Sequence, residues 1–181
     1  MQRDYPKIKY PSRLYPNATV ASSGCGPTCA SMVVETLTGK RFPPEQAAAF
    51  AIECGARAAS GTDMAVLAKA LARAFGLTVR HTSSVTDLPA ALKRGAIAIA
   101  NVGGDRSGYK GVFSDGGHYV VVLGLAPDGR LMLADPGFYA GKYNKSYRRA
   151  VEVVGNLLYA PPQVLDKDAQ NRNPRYMLFG V

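Results

Sequence analysis

The sequence predicts an α+β fold, with helices in the first half of the chain and strands in the second. Three observations predict it. Between residues 26 and 75 apolar side chains recur at helical spacing. After residue 96 the apolar runs become short and rich in Val and Ile, as buried strands are. Asp128-Gly129, between two such runs, is a hairpin turn signal. Helices gathered at one end and strands at the other give α+β rather than an alternating α/β layout. The length of 181 residues suits one domain, residues 1–181.

The elements follow in order. Residues 1–22 carry Pro6, Pro11 and Pro16 among tyrosines and read as an extended, irregular lead-in. Pro27 suits a first helical turn, where its missing N–H costs nothing, and Ala30, Val33, Val34 and Leu37 continue at helical spacing up to Gly39. This predicts a first helix over 26–38, with Cys25 at its N-terminus. Pro43-Pro44-Glu45 opens a second, alanine-rich helix that ends near Gly55. Gly61-Thr62-Asp63 caps a third, with Met64, Leu67, Leu71 and Phe75 on one face and Gly76 as its stop. A short strand is expected over 77–81 and a short helix over 87–94. Strands are expected over 96–102, 118–125, 130–134, 151–154 and 176–179, with a glycine-rich loop over 103–117.

Composition narrows the function classes. Apolar residues are 47% of the chain and charged residues 19%, which supports a packed core and argues against disorder. The net charge of +9 suits a basic soluble surface or an anionic partner such as a bacterial wall. The basic residues are scattered, and the densest group is Lys142, Lys145, Arg148 and Arg149. No run or motif points to base readout, so no nucleic-acid partner is expected. Three cysteines and two histidines do not make a zinc spacing, and no metal is expected. The odd cysteine count fits a reactive thiol rather than a disulfide framework. Residues 1–10 are polar and basic, unlike a signal peptide, and no stretch approaches the length of a membrane span. The expected location is the cytoplasm, or outside the cell by a route that needs no signal peptide.

Cys25 is the candidate nucleophile. A thiol attacks as thiolate, and a helix N-terminus or an adjacent imidazolium lowers its pKa. Gly24 and Gly26 flank it, leaving room for a substrate backbone and for the Cys25 N–H to meet an oxyanion. Cys29, one turn later, and Cys54 are expected to pack. His118 opens a strand directly after Asp115-Gly116-Gly117 and is the candidate base, because His81 lies in a polar, surface-like stretch. Asp135 ends the strand that returns from the Asp128-Gly129 turn, near the His118 end of the hairpin. A carboxylate there can hold one imidazole nitrogen and leave the other to face a thiol.

Ser22-Ser23-Gly24-Cys25-Gly26-Pro27-Thr28, then Gly61-Thr62, then Gly117-His118-Tyr119-Val120-Val121-Val122-Leu123-Gly124, then Leu133-Ala134-Asp135-Pro136 resemble the bacteriocin-leader-peptidase-like branch of the papain-like cysteine peptidases. The order Cys, His, Asp is that of the family, and the resemblance spans about residues 15–140. It implies a papain-like fold, with a helical half carrying the cysteine packed on an antiparallel sheet carrying His and Asp. It implies hydrolysis of peptide or amide bonds through a thioester, without a cofactor. The chain departs from the family at one place. Papain-like enzymes carry a Gln about six residues before the cysteine, as a donor to the oxyanion; here Thr19 stands there, and Thr19, Ser22 and Ser23 are the candidate hydroxyl donors.

The expected function is a cysteine peptidase or amide hydrolase acting on a peptide or peptidoglycan-like substrate. Two alternatives use the same fold: a catalytically weak module that binds a peptide or wall fragment, and an acyltransferase that passes the acyl group to an amine. The oligomeric state is not readable from the sequence.

Overall fold

A computed structural model describes all 181 residues. The chain forms two compact units, residues 1–79 with Val181, and residues 80–180.

The first unit is helical. Its helices are α1 (Val20–Ser23), α2 (Cys25–Thr38), α3 (Pro44–Glu53) and α4 (Met64–Phe75). Each long helix starts and stops where local chemistry dictates. Pro44 opens α3 directly after Pro43. The Asp63 carboxylate accepts the Ala65 and Val66 N–H groups at the start of α4. Gly39 and Gly76 end α2 and α4 in the left-handed conformation, at φ of 68° and 69°. The buried faces are Cys29, Ala30, Val33 and Val34 on α2, Ala47, Ala48 and Ala51 on α3, and Leu67, Ala68 and Leu71 on α4. Phe42 packs edge-on against Phe75, ring centroids 4.8 Å apart.

The lead-in expected over 1–22 is irregular apart from a 3-10 turn at Gln2–Asp4 and one helical turn, α1, at its end. The Thr19 N–H donates to the Ser22 hydroxyl oxygen at 3.0 Å, and that hydroxyl donates to the Thr19 carbonyl at 3.1 Å. A turn closed by a single serine is too short to leave an apolar period.

The second unit carries the sheet. The strands are β1 (Thr78–Thr82), which begins in the last two residues of the 1–79 segment, β2 (Ile97–Val102), β3 (His118–Leu125), β4 (Leu131–Ala134), β5 (Glu152–Val154), β6 (Leu157–Ala160) and β7 (Tyr176–Gly180), in the order β1-β7-β2-β3-β4-β6-β5. The β2–β3, β2–β7, β3–β4, β4–β6 and β5–β6 pairs are antiparallel. Two helices accompany the sheet, α5 (Asp87–Lys93) and α6 (Pro162–Asp168). Ala98, Ala100, Val120, Val122, Leu131, Leu133, Leu158 and Leu178 share one core with Leu88 and Leu165 of these helices.

The sequence reading did not include β6 and α6. Both had local signals. Gly155, at φ 61°, turns β5 into β6, and Pro161-Pro162 opens α6 as Pro43-Pro44 opens α3. The two elements are four and seven residues long, too short for periodicity to stand out.

A long loop separates β2 from β3, and α6 holds it. Asp168, fully buried at the end of α6, accepts the Val112 N–H at 2.8 Å, the Phe113 N–H at 3.0 Å and the Tyr109 hydroxyl at 3.0 Å. Burial raises the Asp168 carboxyl above its usual pKa, and these donors oppose that rise. Replacing Asp168 with Ala leaves two buried N–H groups without an acceptor. The expected cost is about 3 kcal/mol of unfolding free energy, read from the urea midpoint. Asp105→Ala, at a more exposed carboxylate in the same loop, is expected to lower the urea midpoint less than Asp168→Ala does.

Candidate active site

Cys25 is the first residue of α2 and is partly exposed. Being at the N-terminus of a 14-residue helix, it sits where the helix field favours a thiolate. The two glycines beside it are demanded by packing. A Cβ on Gly24 would lie 2.5 Å from the Val20 carbonyl oxygen, and one on Gly26 would lie 2.5 Å from the Thr62 hydroxyl oxygen. Thr62 is itself held, its hydroxyl 2.7 Å from the hydroxyl of the fully buried Tyr10. Burial pushes the Tyr10 phenol up to about 12, so it stays protonated. Arg57 grips this corner, stacking 4.3 Å from the Tyr10 ring centroid and donating to the Tyr10 and Gly61 carbonyls. The Gly61-Thr62 pair that the sequence analysis set beside the cysteine motif therefore packs on its first helical turn.

Of the other cysteines, Cys29 packs as expected and Cys54 is only half-buried. Cys29 is fully buried, and the Cys54 thiol lies 3.6 Å from the Ala51 carbonyl. No disulfide joins the three.

An open cleft of about 580 Å³ lies in the first unit, lined by Leu14, Tyr15, Pro16, Asn17, Ala18, Ser22, Ser23 and Ser60. Ser22 and Ser23 thus reach the cleft, although the Ser22 hydroxyl proton is directed to the Thr19 carbonyl. Thr19 caps α1 and is not among the lining residues. Asn17 is the one side-chain amide among the lining residues.

His118 and Asp135 are brought together in the second unit. His118 is the first residue of β3 and only 9% exposed; its Nε2 lies 2.7 Å from Asp135 Oδ1. In the neutral ring Nε2–H donates to the carboxylate, which makes Nδ1 the basic nitrogen. Asp135 has no exposed surface. Its Oδ1 also accepts the Gly137 N–H at 2.8 Å, while Oδ2 accepts the Tyr143 hydroxyl at 2.7 Å and the Lys142 ammonium at 2.5 Å. Burial alone would raise this carboxyl; His118 and Lys142 outweigh burial and hold it well below the usual range. Gly137 makes room for the pair, since a Cβ there would sit 3.2 Å from His118 Cε1.

Lys142 and Tyr143 were not anticipated as neighbours of this site. Lys142 stood in the densest basic group of the sequence, which reads as a solvated patch. Two of its four members are buried instead. Lys142 is spent on Asp135, and Arg148, 2% exposed, donates to Asp115 at 2.6 Å and to the Lys142 carbonyl at 3.2 Å. The sequence carried no sign of this, because an ion pair depends on where the loop after β4 folds. His81 is exposed, as expected.

The family model named Peptidase C39 like matches residues 5–156.

This chain belongs to the C39-like peptidase family.

Among solved structures, a candidate C39-like peptidase of Bacillus anthracis is similar in fold, with a TM-score of 0.59 and 12% identity over 88% of this chain and 90% of that one. No curated protein matches the chain. The family reading and the mixed helix-and-sheet fold agree with the resemblance drawn from the sequence motifs. No helix of this C39-like chain is long and apolar enough to cross a membrane.

The depressed pKa of Asp135 has a thermodynamic consequence. A carboxyl whose folded pKa lies below its unfolded value stabilises the fold above that unfolded value, about 3.9, and loses the contribution as pH falls toward the folded pKa. The protein is therefore expected to lose stability below about pH 4. In Asp135→Asn the urea midpoint is expected to fall less between pH 5 and pH 3 than in the parent.

Proposed function

We propose that this protein is a thiol peptidase in which Cys25 is the nucleophile, His118 the base and Asp135 the group that orients the base. The observation that carries the reading is the buried His118–Asp135 pair, with Nε2 committed to the carboxylate. Cys25 at the start of α2 and membership of the C39-like peptidase family support it.

The chemistry follows from the residue types. Nδ1 of His118 takes the thiol proton, and the Cys25 thiolate attacks the scissile carbonyl carbon. The tetrahedral oxyanion forms beside the α2 N-terminus, where backbone N–H groups stabilise it and Ser23, two residues before Cys25 and a lining residue of the cleft, is the candidate side-chain donor. The imidazolium then protonates the leaving amine, and a thioester remains on Cys25. Water, deprotonated by His118, attacks the thioester, releasing the acid and restoring the thiol.

The substrate class is peptide. The net charge of +9 draws the protein toward anionic polymers such as those of a bacterial wall, so wall peptides are the substrates to try first. The reading as a binding module draws on Thr19 standing where the family carries a Gln, and the reading as an acyltransferase lacks an observation of its own in favour.

Alkylation by iodoacetamide across pH 4–9, with the modified cysteine located by mass spectrometry, tests the assignment. Cys25 is expected to react well below its ordinary thiol pKa of about 8.5, and to lose that reactivity in His118→Ala. Turnover of a cleaved peptide is expected to fall by about 10³-fold or more in Cys25→Ala and in His118→Ala, and to persist in Cys29→Ala. An ordinary thiol pH profile at Cys25 would remove the basis for the peptidase reading.

A further inference from the structure

We propose that Lys142 is a positioning residue that sets the basicity of His118 through Asp135. The proposal rests on reading His118 as a base, and it is carried by the way the four donors divide over one buried carboxylate. Oδ1 serves His118 and Gly137, while Oδ2 serves Lys142 and Tyr143.

A buried carboxylate left alone beside an imidazole favours the imidazolium by about 1–3 pKa units. His118 would then be held protonated and would make a poor base. Lys142 cancels that charge from the other oxygen. Its ammonium is 7% exposed and its partner wholly buried, so little solvent screens the pair. With Asp135 neutralised, a proton on His118 adds a net positive charge to a closed site, and the ring releases it more readily. Tyr143 supplies a neutral bond on the same oxygen; burial first, and then the Asp135 charge, keep its phenol protonated. That neutral donor shows that Oδ2 can be satisfied without a cation, so the ammonium does more than fill a hydrogen-bonding position.

The other charges around this site are accounted for. Arg148 reaches the Lys142 carbonyl and pairs with Asp115; Lys145 also lies 3.7 Å from Asp115. The Arg148 and Asp168 charges act on Tyr143 in opposite directions. Among these groups, Lys142 is the cation in direct contact with Asp135.

The chain has two histidines, and the exposed His81 serves as an internal reference. The experiment follows both imidazole ring signals by NMR against pH in the full-length Cys25→Ala protein, which removes the thiol's own titration. Adding Lys142→Gln is expected to raise the His118 midpoint by about one unit while His81 stays in place. Adding Lys142→Arg, which keeps the charge, is expected to restore the parent midpoint. A folded Lys142→Gln protein with an unmoved His118 midpoint overturns the proposal, as does a shift of equal size in Lys142→Arg. Asp135→Asn provides a reading that does not need Lys142→Gln to fold. With the carboxylate neutral and the ammonium kept, the His118 midpoint is expected to drop below that of His81, and a midpoint at or above it overturns the proposal. These titrations need no substrate and no thiol. An ordinary alkylation profile at Cys25 would thus refute the peptidase reading without touching this result.

Discussion

The carboxylate of Asp135 accepts hydrogen bonds from His118, Gly137, Lys142 and Tyr143, and the second unit is arranged to make those bonds possible. Burying a carboxylate without partners costs several kcal/mol, so the site persists because every lone-pair direction is met. Each donor comes from a different demand on the chain. His118 must open β3, Gly137 must lack a side chain, and the loop after β4 must fold back to deliver Lys142 and Tyr143. Arg148 then ties that loop to Asp115, which lies just before the start of β3. Asp168 fixes an earlier part of the same β2–β3 loop through the Val112 and Phe113 amides. The base and its carboxylate are thus held by buried polar bonds from both flanking loops, and such bonds are directional where apolar packing is not.

The first unit fixes its cysteine by contact instead. Gly24 lies against Val20 and Gly26 against Thr62, and Thr62 is pinned by Tyr10. Side chains at either glycine would push the start of α2 away, and Cys25 with it. The glycines around a candidate nucleophile are commonly explained by substrate access. Here the close approach of neighbouring chain already requires them, and access is an added benefit.

Charge reads differently in three dimensions. The group Lys142, Lys145, Arg148 and Arg149 gives the sequence its densest positive patch, yet Lys142 and Arg148 are consumed by Asp135 and Asp115. The positive charge available to an anionic polymer is correspondingly more dispersed than the sequence implies. Through Asp135, this internal pairing joins part of the basic composition to the candidate catalytic histidine.

The sequence by itself determined the long helices, most of the strands and the identities of the candidate residues. Helix caps, prolines, left-handed glycines and apolar periods act over a few residues, so they are legible locally. It also placed His118 and Asp135 near the same end of one hairpin. Whether they face each other was decided by the tertiary structure. Leu125 pairs with Leu131 and Gly124 with Met132, but Val122 pairs with Leu133 and Val121 with Ala134. Without that one-residue bulge, Asp135 would continue opposite Val121, on the other face of the strand from His118. With it, Asp135 falls in line with Val120, on the His118 face, because strand side chains alternate and a single extra residue reverses the alternation. The ion pairs of Lys142 and Arg148 were equally unreadable, since a buried charge is defined by partners that only the folded chain brings within reach.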